Sequence, residues 1–129
     1  MPWTHYLAIA ASLVGALIGG YAMMNPAWAS RVVRLVPTPG QAEGRSEFRA
    51  TFGGLFFAAH AFAGWALVSQ VEAAPWAAAT LGVGWLGSCF GRSWSLFADK
   101  TFTWLNLFNV AFDLVFGVAL LGPLVSVTS

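Results

Sequence analysis

RVVRLVPTPGQAEGRSEFR, residues 31–49, and RSWSLFADK, residues 92–100, together hold all six Lys and Arg residues of the chain. Around them lie four apolar runs, Tyr6 to Met24, Ala50 to Val71, Pro75 to Phe90 and Phe102 to Val127. Each approaches or exceeds the roughly 17 residues that a helix needs to cross a hydrocarbon core about 30 Å thick. The third run is the shortest, and a re-entrant segment is the alternative for it. Against that alternative, Pro75 suits the first turn of a helix and Trp76 suits a membrane interface. Four spans joined by three loops put both basic stretches on one face of a bilayer. Basic residues collect on the cytoplasmic side. The expected arrangement is therefore a multi-pass protein of the bacterial inner membrane, with loops 25–49 and 91–101 cytoplasmic and both termini outside. The aromatic residues fit the same levels, with Trp3, Tyr6 and Trp76 outside and Trp28, Trp94 and Trp104 inside.

Composition supports the same class. Hydrophobic residues make up 58% of the 129 positions and charged residues 9%, against about a quarter charged in soluble domains. Seven Trp and eleven Phe are too many for the interior of so small a domain, so lipid must be the solvent for much of the surface. One transmembrane domain, residues 1–129, accounts for the whole length. A net charge of +1, without basic residues interleaved with aromatics, excludes a nucleic-acid partner. The single cysteine, Cys89, excludes an internal disulfide and reads as a small apolar packing residue. Ala27-Trp28-Ala29 imitates a signal-peptidase site, but no Lys or Arg precedes the first run and that run is too long for a signal peptide. It reads as a retained span.

The first basic loop carries its own pattern. Asn25-Pro26 is a helix cap followed by a first-turn proline. Trp28, Val32 and Leu35 recur at helical spacing opposite Ser30, Arg31 and Arg34. The expectation is a short amphipathic helix on the membrane surface, ended by Pro37 and Pro39. Pro37 to Gly44 is expected to be the most mobile stretch. Within the spans, close packing should fall on small-residue stripes. Candidate stripes are Ser12, Gly15 or Ala16 and Gly19 on span one, Gly53, Phe57, His60 and Gly64 on span two, and Thr80, Gly84, Gly87 and Gly91 on span three. The fold expected is all-α, an antiparallel four-helix membrane bundle with a short interfacial helix between spans one and two.

Two polar groups are candidate sites. Asp113 lies near the midplane of span four and shares a stripe with Asn106 and Asn109 at i, i+3 and i+7 spacing. A carboxylate there costs about 3 kcal/mol on insertion scales, so it needs a partner, a proton or a polar cavity. His60 lies at similar depth on span two, within geometric reach if spans two and four adjoin. These four residues either glue helices together or bind a ligand head or relay a proton. At the cytoplasmic mouth, Glu47, Arg49, Arg92 and Asp99 form a charge cluster that can cross-pair, for example Arg49 with Asp99 and Glu47 with Arg92. Interfacial pairing is one reading of that cluster, and a charged lid or an anionic head-group site is the other. No metal site is expected, no cofactor is indicated, and haem lacks a second histidine at the depth of His60.

Glu47 to Leu55 matches E-x-R-A-x-F-G-G-L, and Gly91 to Asp99 matches G-R-x-x-S-x-x-x-D. These motifs resemble those of a bacterial family of small four-span membrane proteins of unknown function, similar to the DoxX/DoxD-like proteins. The resemblance implies a four-helix bundle and an acid in the last span, for which Asp113 is the counterpart. It implies no reaction and assigns nothing to His60. The function expected is an accessory or structural subunit, or a small-hydrophobic-ligand binder, in a larger membrane assembly. The partners expected are membrane lipids together with other membrane subunits or further copies of this chain. A proton or small-molecule transport component using Asp113 is the alternative. A lipid- or quinone-modifying enzyme is less favoured, because no nucleophile–base pair is visible.

Overall fold

Long apolar runs broken by a few polar turns fold as helices, because lipid cannot hydrogen-bond an exposed backbone. The computed structural model of the chain describes residues 1–128, with side chains described through Ser126. Its elements are α1 (Trp3–Met24), α2 (Pro26–Val33), α3 (Glu43–Glu47), a π-helical stretch (Phe48–Leu55), α4 (Phe56–Val68), α5 (Ala74–Ala98) and α6 (Trp104–Thr128). No strand occurs among the described residues. Three helices are both long and apolar enough to cross a membrane: Trp3–Met24, the continuous helix Glu43–Val68, and Trp104–Ser126. The protein is an all-α, multi-pass membrane protein. Helix α5 is a full 25 residues long but carries more Gly, Ser and Thr, and is not among those three.

Several boundaries differ from expectation. Helices here end on non-glycine residues in the left-handed conformation: Arg34 (φ 58°), Gln70 (φ 53°) and Lys100 (φ 55°). Helix α2 stops at Val33, before either proline, with Arg34 as its left-handed cap. Helix α4 stops at Val68 rather than Val71. The Val71 N–H reaches the Ala66 carbonyl at 3.0 Å and the Gln70 N–H reaches Leu67 at 3.2 Å, the pair of bonds that defines a Schellman motif. Helix α5 continues past Phe90 to Ala98, so Arg92 lies inside a helix and not in a loop. The start of α2 is as expected: the Asn25 side chain accepts from the Trp28 N–H at 3.0 Å, and Pro26 occupies the first turn.

The chain forms two compact units. The first comprises Met1–Ala11 and Ala63–Ser129. Its core is built from Ala8, Ala11, Ala66, Leu67, Ala74, Ala78 and Leu120, flanked by Trp85 and Phe116. Helices α5 and α6 form an antiparallel hairpin about the connection 99–103, shown by the reversed order of their contacts. A Cβ on Gly82 would lie 2.8 Å from the Gly117 carbonyl oxygen, so the two backbones touch there. Nearby, Trp85 lies 5.1 Å from Phe116 and 5.7 Å from Phe112, ring centre to ring centre. The expected packing stripe on α5 is corrected. At Gly84, Gly87 and Gly91 an added Cβ meets nothing within 4 Å, and Thr80 is exposed. Two residues of helix rotate by about 200°, so presenting Gly82 to α6 turns Gly84 away.

The second unit comprises Ser12–Phe62. Here the span-one stripe packs as expected: Gly15 lies under the His60 ring and Gly19 under the Phe57 backbone, each closer than a Cβ would allow. Gly53, in the π-helical stretch, abuts the Met23 backbone, where a Cβ would sit 2.6 Å from its Cα. Ala22, Ala29 and Phe48 form a small core with Trp28 and Val33 against it.

Two outcomes are expected from this packing. Gly82→Ala should lower stability by about 1–3 kcal/mol through overpacking, while Gly84→Ala should not lower it, as measured by unfolding in mixed detergent micelles. In the same assay Gln70→Gly should raise stability by about 1 kcal/mol, by relieving a left-handed residue that carries a side chain.

Candidate functional site

The first unit carries its only buried acid on α6, because the hairpin gives it two donors on α5. Asp113 is 2% exposed. Ser88 donates its hydroxyl to Asp113 Oδ2 at 2.7 Å, and Arg92 donates Nε–H to the same oxygen at 2.9 Å. This is the one ion pair among the described residues. Arg92 keeps 40% of its side chain exposed, so the site is closed on its other sides but not on that of Arg92.

Depth matters in this arrangement. Six residues separate Arg92 from the end of α5, roughly 9 Å of helix, and nine separate Asp113 from the start of α6, roughly 14 Å. Arginine near the end of a span ordinarily snorkels outward to the interface. Here it reaches inward. A buried carboxylate is expensive to leave uncompensated, and a charge-assisted bond plus a hydroxyl supplies the compensation.

The other expected site residues are engaged elsewhere. Arg92 goes to Asp113 rather than Glu47, which is exposed. Arg49 donates to the Met23 carbonyl at the end of α1, where the helix dipole favours a cation. Asp99 accepts from the Ser95 hydroxyl at 2.8 Å. Each of these bonds lies within one of the two units. Asn106 is buried and reaches Thr101, with Nδ2 at 3.0 Å from Oγ1 and 3.3 Å from the carbonyl. Ser95 and Thr101 hydroxyls meet at 3.2 Å, so this group ties the α5–α6 connection shut. Asn109 is half-buried between the two clusters.

His60 belongs to the second unit and is 1% exposed. Its ring lies 4.2 Å from that of Phe56, and Nδ1 is 2.8 Å from the Phe56 carbonyl. A carbonyl only accepts, so Nδ1 carries the hydrogen. Ser12, on the same stripe as Gly15, is fully buried and its hydroxyl has no hydrogen-bond partner among the described residues. Cys89 packs half-buried, with Sγ 3.5 Å from the Val110 carbonyl. Among the described residues no group of three or more His, Cys, Asp or Glu is placed to hold a metal ion.

Ser88 is the member that sequence reasoning missed, and Arg92 the one it assigned to the wrong partner. A signal for both existed. In the hairpin, residues about equally far from residue 100 face one another, as Gly82 with Gly117, Trp85 with Phe116 and Cys89 with Val110. That mirror puts Ser88 opposite Asp113, and the long Arg92 side chain reaches the same oxygen one turn later.

The family that matches is described as a domain of unknown function (DUF4345), and the match runs over residues 4–123. It overturns the DoxX/DoxD likeness drawn from the two motifs, and it takes in the first span, which those motifs leave out. No curated protein and no solved structure matches the chain.

Arg92→Ala should lower stability by about 3 kcal/mol by leaving the Asp113 charge uncompensated, at the low end for buried pairs because Arg92 is half-exposed. The double variant Arg92→Leu/Asp113→Leu should lose less than the two single leucine variants combined. A double-mutant cycle of unfolding in micelles measures both.

Proposed function

We propose that this chain, which belongs to the DUF4345 family, is a non-enzymatic accessory subunit of a larger membrane assembly. The observation that carries the reading is Asp113, whose Oδ2 takes both a hydroxyl and a guanidinium from the neighbouring helix. A carrier of protons must present its carboxylate to a path and exchange its partner. This one is tied into the hairpin, so the polar interior serves as a lock. Asp113, Ser88 and Arg92 are its members, with Asn106 closing the turn beside it and His60 seated on Gly15 in the other unit.

In this reading the chain is one transmembrane domain with four spans, α1, Glu43–Val68, α5 and α6, arranged as an antiparallel bundle. Helix α2 lies in the interface between spans one and two. The ends carrying Arg31, Arg34, Arg45, Arg49 and Lys100 face the cytoplasm of a bacterial inner membrane, and both termini face outward. Support comes from large side chains left exposed along the spans, among them Trp65, Phe90, Trp94 and Trp104. Such residues suit lipid or the flank of another helix, and further copies of this chain or other membrane subunits are the partners they would meet.

Purification of the native complex in mild detergent tests the proposal. A particle larger than one chain plus its micelle is expected, with the partner identified by mass spectrometry. A stable, lone monomer would overturn the accessory role. If Asp113→Asn abolished a proton flux across vesicles while leaving the hairpin assembled, a transport component would replace it.

A further inference from the structure

We infer that the cleft at the end of the first span binds the phosphate of an anionic membrane lipid. The cleft lies wholly within the second unit, encloses about 790 Å³, and is lined by Met24, Asn25, Ser30, Thr38, Arg45 and Arg49 among others. No Asp or Glu lines it. This inference goes beyond the accessory role and does not depend on it.

Charge is sorted on the short helix that forms one wall. Arg45 and Arg49 are four residues apart and share a face, whereas Glu43 and Glu47 share another and lie outside the lining. Like charges four apart repel and destabilise a helix unless something of opposite sign stands against them. Arg49 has one bond, to the Met23 carbonyl, and its remaining donors are open. Arg45 makes no side-chain bond among the described residues and is exposed. Both arginines line the one cleft, and a guanidinium presents the paired donors that phosphate oxygens accept.

The opposite wall is already formed. Thr38-Pro39-Gly40-Gln41 is a tight turn, closed by the Gln41 N–H to the Thr38 carbonyl at 3.1 Å. Gly40 has φ +82°, which its position in a type II turn requires. Pro37 lies so close to Gly44 that a Cβ there would stand 2.7 Å from the proline ring. This stretch forms the rim of the cleft.

Apolar surface beside the cleft selects a lipid over a soluble phosphate. Helix α1, one of the membrane-length helices, ends at the cleft with Met24 76% exposed. Val32 on α2 and Leu35 and Val36 on the segment that leads from α2 to the rim are exposed. A head group in the cleft leaves its chains free to lie along apolar side chains that otherwise face water.

The test uses the full chain in nanodiscs of phosphatidylcholine containing a minority of phosphatidylglycerol, with retained lipid counted by native mass spectrometry. Wild type should enrich phosphatidylglycerol, and Arg45→Gln should reduce that enrichment about tenfold, the loss of one charge-assisted hydrogen bond to the phosphate. Arg45 holds nothing in the fold, so this variant tests binding and not folding. Arg31→Gln, exposed and outside the cleft, should leave enrichment unchanged. Equal losses from Arg45→Gln and Arg31→Gln would show diffuse surface charge and overturn the site. Displacement of the lipid by inorganic phosphate at matched concentration would overturn the lipid as its occupant.

Discussion

One carboxylate in an apolar medium sets the rotation of a whole helix. Asp113 is surrounded by residues that cannot solvate it, and α5 is the element that answers, with Ser88 and Arg92 on one stripe. Gly82 also meets α6, and the two backbones close there because neither Gly82 nor Gly117 carries a side chain. Trp85 then meets Phe112 and Phe116. A different rotation would strand a charge in hydrocarbon, which costs more than any of the aromatic contacts supplies.

Lipid gives no hydrophobic drive for helices to associate, so each unit depends on contacts that lipid cannot imitate. The two units use different kinds. The hairpin uses a charge-assisted bond and a hydroxyl. The second unit uses close approach, with Gly15 beneath His60, Gly19 beneath Phe57 and Gly53 against Met23. The π-helical stretch belongs to the second kind: widening the helix over Phe48–Leu55 carries Gly53 onto the end of α1. The motif around Glu47 to Leu55 is therefore accounted for by packing at Gly53 and by the Arg49 bond that ends α1.

Which parts were legible in the sequence follows from which forces are local. The apolar runs, the Asn25 cap and the Ser12–Gly19 stripe are local patterns, and the structure carries them. Helix ends were less legible because Arg34, Gln70 and Lys100 take the left-handed conformation without glycine to announce it. The α5 stripe is less legible because glycine spacing alone offers two faces, and nothing local says which of them meets α6. Arg92 was read as loop because a charge after an apolar run ordinarily marks the membrane surface. Its helix continues because that charge is directed inward.

The basic residues consequently do different work, although their charges are alike. Arg92 is committed to a carboxylate within the hairpin and contributes little field outside it. Arg49 is partly committed, to a helix end. Arg45 has no partner and lies one turn from Arg49 on the wall of a cleft without acids. An exposed cation is solvated by water, and near a membrane surface it is also attracted to the phosphate of an anionic lipid. The same electrostatic requirement that draws Arg92 inward to Asp113 therefore leaves Arg45 facing outward, toward a charge that the chain itself does not supply.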